Sequence, residues 1–326
     1  MHENDLNLSI IIVNYNGKEF LRKCLKSVYA ETSDLDFEVF VVDNNSQDSD
    51  SEMIKKLFPR VHLIQNSENV GFAKANNQAI LKSRGRYILL LNPDTVALPN
   101  AITNLVEFME TYPDAEAVGC KLLNLDGSIQ YSIRNFPSLF SQLSECFFLH
   151  RIFPRNGLFG EVVSDERHYE TAQAVDWVCG AVLMLGRETI DRIGMLDENF
   201  FLYSEEKDWC YRVWRAGGKV YYCPGAQFIH YQGESETDPK LFAELVRSKV
   251  RFFRKHKSIP ESWVYRVIFS FSLLLRVGGW LLAAIIDSGK NGKARCKLNV
   301  YLKGFQASLS PISWRRNFAL RQEEYK

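Results

Sequence analysis

Four short apolar runs, each closed by a polar cluster, recur in the first hundred residues. This alternation constrains the fold more than any other feature of the chain. The runs cover residues 8–14, 37–42, 62–65 and 87–91. Between the first two, Phe20, Leu21, Cys24, Leu25 and Val28 recur at helical spacing, and a second helical stretch lies near residues 73–83. Strands alternating with helices argue for parallel pairing in a doubly wound α/β sheet. Such sheets hold ligands outside the carboxyl ends of their strands. The clusters at 14–16, 43–46, 66–69 and 92–94 are therefore expected along one edge.

The second half is less regular. Pro99 stands where the first turn of a helix accepts proline, and residues 101–110 read as that helix. Residues 124–127 read as a turn, 128–134 as an edge strand and 135–172 as irregular cover on the acceptor side. A strand-like run at 175–185 precedes a helix near 187–192. A helix over 205–216 ends at Gly217-Gly218, residues 219–222 form a final strand, and Ile229-His230 lies just beyond it.

A chain of 326 residues has room for one large α/β domain with an appendage, or for two modest domains. Its 46% hydrophobic content supports a sizeable core, and a net charge of +1 excludes a protein that coats nucleic acid. Seven cysteines without a C-x-x-C pair are expected as reduced thiols, with Cys24, Cys120, Cys179 and Cys223 buried, in a reducing cytoplasm. The first nine residues hold no apolar signal core, which argues against secretion.

Chemistry concentrates in a few places. Asp94 closes a buried strand, and its carboxylate suits a hard cation bridging a diphosphate; the plainer role is a cap on the following helix. Asp43 also ends a strand, where an N-cap is the plain alternative. Gly71, in Asn69-Val-Gly-Phe72, would allow close approach of backbone to a ligand, with Asn76 about a turn further on. Glu205-Glu206-Lys-Asp208 is either a set of crowded carboxylates, one raised towards a useful pKa, or an acidic first turn suited to the helix dipole. Asp208 and Arg212, four apart, read as a structural pair.

In their order along the chain, Ile10-Ile-Ile-Val-Asn-Tyr-Asn16, Val41-Val-Asp43, Asn69-Val-Gly-Phe72, Asn92-Pro93-Asp94 and Phe200-Phe-Leu-Tyr-Ser-Glu-Glu-Lys-Asp-Trp-Cys-Tyr-Arg212 resemble the family 2 glycosyltransferases, rhamnosyltransferase-like members above all. The resemblance covers about residues 7–235. It implies a GT-A nucleotide-sugar-binding fold with a mostly parallel central sheet and an inverting, metal-dependent transferase. Asn14, Tyr15, Asn16, Asp43, Asn69, Gly71, Asn76 and Asn92 would bind the donor nucleotide, Asp43 by accepting the pyrimidine imide N–H. Trp177, Gly180 and Ala181 would floor the donor and acceptor pocket. Asp94, with His230, would hold Mg²⁺ or Mn²⁺. Glu206 would be the base. The chain departs from the family at two points: Asn92 replaces the first acid of Asp-x-Asp, and Glu206 stands where members usually carry Asp. Glu205 therefore stays open as the base.

The implied donor is a dTDP- or UDP-linked sugar, dTDP-L-rhamnose first. The implied acceptor is a lipid-linked glycan in polysaccharide assembly. Two rivals remain: a sugar nucleotidyltransferase, and a non-catalytic scaffold for nucleotide-sugar or membrane. The first would carry a Gly-rich, Arg-containing loop after its first strand, and Asn14-Tyr-Asn-Gly-Lys18 is not one.

Residues 1–240 are expected to form the catalytic domain, with a nucleotide half at about 1–118 and an acceptor half at about 119–240. Residues 241–326 read as a helical, basic and amphipathic membrane-associating extension. Residues 267–286 are apolar except for Ser270, Ser272 and Arg276. On a helical wheel Arg266, Ser270, Ser272, Arg276 and Trp280 share one side, into which Phe269 and Leu273 intrude. Cations precede the segment (Arg247 to Lys257) and follow it (Lys290, Lys293, Arg295, Lys297), against the one-sided bias of a single span. Attachment to the inner, cytoplasmic face of the cell membrane is the leading expectation. A true span, and packing on the catalytic domain or in a homodimer, stay open.

Overall fold

The computed structural model describes residues 6–32, 34–47, 50–153, 158–231, 238–286 and 292–311. In chain order the elements are β1 (Leu8–Asn14), α1 (Lys18–Glu31), β2 (Phe37–Asp43), α2 (Asp50–Leu57), β3 (His62–Gln65), α3 (Phe72–Ile80), β4 (Tyr87–Leu91) and β5 (Thr95–Ala97). There follow α4 (Ala101–Thr111), β6 (Ala115–Leu123), β7 (Ile129–Gln130), β8 (Ile133–Arg134), α5 (Leu139–Cys146) and α6 (Leu149–Ile152). Then come β9 (Gln173–Val175), β10 (Trp177–Val178), β11 (Val182–Gly186), α7 (Arg187–Ile193), α8 (Glu205–Arg215) and β12 (Lys219–His230). The last helices are α9 (Pro239–His256), α10 (Ile259–Ile286) and α11 (Lys293–Leu309). They divide into two compact units: Met1–Phe136 with Val162–Glu198 and Glu205–Gln232, and Pro137–Glu161 with Asn199–Ser204 and Gly233–Lys326.

The first unit is α/β with a mostly parallel central sheet. Its strands run in the order β3-β2-β1-β4-β11-β6-β12-β5, with β7 beside β6 and β9 beside β12. β3, β2, β1 and β4 are mutually parallel, as are β6 and β12, and β11 is inserted antiparallel between β4 and β6. β1 shows why its run is apolar from Ile10 to Val13. Leu8, Ile10 and Ile12 join the core layer that holds α1 and α4, while Ile11 and Val13 join the layer that holds α3 and α8. A strand covered on both faces has no polar side to alternate with.

Several local expectations are corrected. The helix at 101–111 is preceded by Asn100 at φ 61°, so Pro99 lies outside its first turn. Residues 175–185 are not one strand but the end of β9, then β10 and β11, and 128–134 divides into β7 and β8. β12 does not stop at Tyr222. It runs through Pro224-Gly225 by shifting register between Cys223 and Gln227, so His230 is its last residue. Neither Asp43 nor Asp94 caps a helix: α2 begins at Asp50, and Asp94 leads into β5. Of the expected thiols, Cys24, Cys120 and Cys223 are buried and Cys179 is half-buried.

The second unit is helical. The stretch expected to be irregular contains α5, started by a reciprocal cap in which Ser138 Oγ accepts from Ser141 N at 3.0 Å and Ser138 N donates to Ser141 Oγ at 2.9 Å. α9 starts at Asp238, whose Oδ1 accepts from Lys240 N and Leu241 N, with Pro239 in the first turn. Lys290, among the expected flanking cations, lies outside the described residues.

Candidate active site

Parallel pairing brings the strand ends together. Asn14 is in register with Asp43, and Asp43 with Gln65. The loops beyond them are tied by side-chain amides and hydroxyls. Ser46 Oγ accepts from Asn14 Nδ2 at 3.2 Å and from Asn16 N at 2.9 Å, Asp43 Oδ1 accepts from Ser46 N at 2.9 Å, and Asn16 Oδ1 accepts from Gln47 N at 2.8 Å. Asp43 is 7% exposed, whereas Tyr15 is 43% exposed.

A residue that the motif reading passed over, Asn44, joins this loop to the next. Its Nδ2 donates to Asn69 Oδ1 at 2.8 Å, and its Oδ1 accepts from Asn66 Nδ2 at 3.1 Å and Val70 N at 3.0 Å. Asn69 Oδ1 also accepts from Gly71 N at 3.0 Å. Gly71 turns the chain into α3 at φ 88°, a conformation that disfavours any side chain. Asn76 is buried on α3; its Nδ2 donates to Phe72 O, while its Oδ1 has no partner among the described residues.

The second group forms where β5 and β12 run antiparallel. Thr95 is in register with His230, and Tyr231 N donates to Asp94 O at 2.9 Å, so Asp94 faces the end of β12. His230 Nε2 lies 3.5 Å from Asp94 Oδ1. Gln130 orients the ring: its Nε2 donates to His230 O at 2.6 Å, which turns its Oε1 to His230 Nδ1 at 2.9 Å. This network places a proton on Nδ1, so that in the neutral ring the Nε2 lone pair faces a carboxylate. Two acceptors in that relation fit a divalent cation held between them, with the histidine braced by its other nitrogen. Among the described residues no group of three or more His, Cys, Asp and Glu gathers, so the pair would supply part of a coordination shell.

The third group surrounds α8. Asn92 N donates to Ala181 O at 2.9 Å, which fastens β4's end to the Gly180-Ala181 turn. A Cβ on Gly180 would lie 3.1 Å from Glu206 Cγ and 3.2 Å from its Cβ, so the absence of a side chain admits the glutamate. Glu206 is half-buried, and its Oε2 is shielded from solvent with no hydrogen-bond partner among the described residues. Burial raises its pKa, opposed by its own backbone amide, by Lys207 and by Arg134. Desolvation is the leading cause of the rise. Glu205 is buried at 4% exposure.

Cys179 connects these groups electrostatically. Burial pushes its thiol up, Arg134 opposes, and Glu206 and Asp94 both add to the rise. Arg134, whose charge lowers the pKa of both Cys179 and Glu206, is a second residue that motif reading missed. Trp177 belongs to the core: its Nε1 donates to Asn135 O at 2.9 Å, and Lys207 Nζ sits 4.7 Å from its ring centroid. Asp208 and Arg212 form the expected pair, with Nε to Oδ2 at 2.9 Å. Arg212 also donates to the carbonyls of Ile193, Gly194 and Met195, which fixes α8 against the end of α7.

The family model described as glycosyl transferase family 2 matches residues 9–159, and that described as glycosyl transferase family group 2 matches residues 87–286. N-acetylglucosaminyl-diphospho-decaprenol L-rhamnosyltransferase of Mycobacterium tuberculosis is 27% identical over 239 residues, covering 70% of this chain and 77% of its own. Rhamnosyltransferase WbbL of Escherichia coli is 28% identical over 267 residues, covering 77% of this chain and 94% of its own. Among solved structures, the mannosyltransferase PcManGT from Pyrobaculum calidifontis, in complex with GDP-Man and Mn²⁺, superposes with a TM-score of 0.56 at 15% identity. That match covers 93% of this chain and 85% of the other, and it shows a shared fold.

Proposed function

The chain belongs to glycosyltransferase family 2, and from that premise we propose that it transfers L-rhamnose from dTDP-rhamnose, with inversion, to a hydroxyl of a lipid-linked glycan. The observation that carries this reading is Glu206, packed on Gly180 in the turn whose Ala181 holds the end of β4 two residues before Asp94, with its carboxyl raised by burial.

In the proposed reaction Glu206 accepts the proton of the acceptor hydroxyl. The freed oxygen attacks the anomeric carbon from the side opposite the diphosphate. The bond from that carbon to the diphosphate oxygen breaks, leaving the glycoside, the nucleoside diphosphate and protonated Glu206. Burial makes Glu206 a stronger base than an exposed carboxylate, nearer the operating pH. Glu205 remains the alternative base. Asp94 and His230 would hold Mg²⁺ or Mn²⁺, which when bound supplies Lewis-acid neutralisation of the diphosphate. Arg134 adds a cation whose charge favours the ionised form of Glu206.

Asp43 accepts the imide N–H of a thymine or uracil, Tyr15 offers its exposed ring to the base, and Asn14, Asn16, Asn69, Gly71, Asn76 and Asn92 shape the nucleotide's bed. Gly180 and Ala181 line the reacting centre, with Trp177 supporting Lys207. We assign this chemistry to residues 1–240 and attachment at the cytoplasmic face of the membrane to residues 241–326. The relatives named for rhamnosyl transfer support the sugar, and the decaprenol diphosphate in one of those names supports a lipid-linked acceptor.

A thermal-shift screen of nucleoside diphosphates and nucleotide-sugars with Mg²⁺ or Mn²⁺ tests the reading. Stabilisation by dTDP and UDP species, greatest for dTDP-rhamnose, is expected. Equal stabilisation by CDP species, whose cytosine offers no imide N–H, would contradict the role of Asp43.

A further inference from the structure

Two neighbouring helices of the second unit are built inside out. α10 buries Ser262, Ser270 and Ser272 with Tyr265, Phe269 and Leu273, and turns Val267, Phe271, Leu274, Leu282 and Ile285 outward. Its polar arc does not meet water, as an interfacial helix lying alone would require, but is consumed by protein. Arg266 donates to the carbonyls of Ser308 and Ser310, each at 2.7 Å, and Ser270 Oγ lies 2.8 Å from Ser308 Oγ on α11. Arg276 Nη2 donates to Glu145 O, on α5, at 3.1 Å.

α5 repeats the pattern. It buries Ser141, Gln142, Ser144 and Cys146, and exposes Phe140 and Leu143 with Phe147 at its C-cap, spaced i, i+3 and i+7 along one stripe. α5 packs along α10, and the Arg276 guanidinium that joins them also sits 4.6 Å from the centroid of the Phe148 ring. A helix on a water-soluble surface has the reverse arrangement, and an apolar face continued over two helices marks an interaction site.

Charge and aromatic placement indicate the occupant. α11 carries no carboxylate and exposes Lys293, Arg295 and Lys303, and α9 has Glu244 as its single acid among many cations. Trp263, at the start of α10, is exposed with the Arg266 guanidinium 5.7 Å from its ring centroid, a pairing suited to a headgroup layer. We propose that the outward faces of α10 and α5 form one lipid-binding surface, seated on an anionic leaflet and steered there by the cations of α11. The inference rests on the membrane reading above and extends it from residues 241–326 to α5.

The test is co-sedimentation of the purified full chain with phosphatidylcholine vesicles, with and without phosphatidylglycerol. The wild type should bind, more tightly with phosphatidylglycerol. The triple variant Phe140→Ser, Leu143→Ser, Phe147→Ser should keep its circular dichroism and lose about tenfold or more in partition coefficient. The variant Lys293→Glu, Arg295→Glu, Lys303→Glu should lose only the phosphatidylglycerol-dependent part. Wild-type binding by the α5 variant would overturn the proposal. So would a wild-type dimer in light scattering that the α5 substitutions split, since a second copy would then own the face. Nucleotide binding in vesicle-free buffer is independent of both variants, so failure here leaves the transfer reading standing, and loss of nucleotide binding leaves this one.

Discussion

Gly180 and Glu206 are in direct contact across the turn between β10 and β11 and the first turn of α8: a methyl group on Gly180 would lie 3.1 to 3.4 Å from three carbons of the glutamate. Gly180→Ala is therefore expected to displace the Glu206 side chain by a few tenths of an ångström without unfolding the sheet. Turnover should fall by about 10- to 100-fold, as small misplacements of reacting groups do, with little change in nucleotide affinity. Steady-state kinetics beside nucleotide titration checks this. Unchanged kcat would mean that Glu206's position does not matter.

His230 depends on Gln130. Gln130→Ala removes the acceptor at Nδ1 and frees the ring to rotate. Apparent affinity for Mn²⁺, read from activity and from nucleotide-dependent binding, should weaken by about 10-fold or more. His230→Ala should weaken it at least as much. Equal metal titration curves for wild type and both variants would remove the pair from the metal's shell.

Asn44 makes three hydrogen bonds that join the loops after β2 and β3. Asn44→Ala leaves the Val70 amide and two side-chain amides short of partners, at a cost of about 1–3 kcal/mol. Denaturant unfolding should show that loss, accompanied by weaker nucleotide binding. Full stability would show the loops to be held independently.

The pH dependence of Glu206 follows from its environment. Because burial raises its folded-state pKa, folding favours the protonated form; that stabilisation is present at low pH and is lost as pH rises through the raised pKa. Glu206→Gln should therefore stabilise the protein relative to wild type at pH 8 and lose that advantage near pH 4. As a base the residue must be ionised, so kcat should climb with pH over the same interval. Melting curves and pH–rate profiles give both readings, and a rate limb at the ordinary carboxylate position would contradict the burial argument.

Much of this was legible in sequence because parallel strands covered on both faces read as nearly unbroken apolar runs. The runs at 8–14 and 87–91 coincide with the buried β1 and β4, while 62–65 coincides with β3 at the end of the strand order, where His62 and Gln65 are exposed; the carboxyl ends of all three lie at one edge. Gln130 and Arg134 escaped notice because β7 and β8 are two residues long, too short for any period. Asn44 was hidden among neighbours equally suited to turns. α5 was missed because its apolar stripe faces outward and its small polar residues inward, although Ser138-x-x-Ser141 marked its start. The wheel of α10 divided its residues correctly, but only packing reveals that the polar arc meets protein.

The most direct measurement is sugar transfer and donor binding by Glu206→Gln, made side by side. Turnover should fall by about 10²–10⁴-fold, while the metal-dependent affinity for the nucleotide-sugar stays within a factor of two or so of wild type. Transfer at the wild-type rate would contradict the account at its centre.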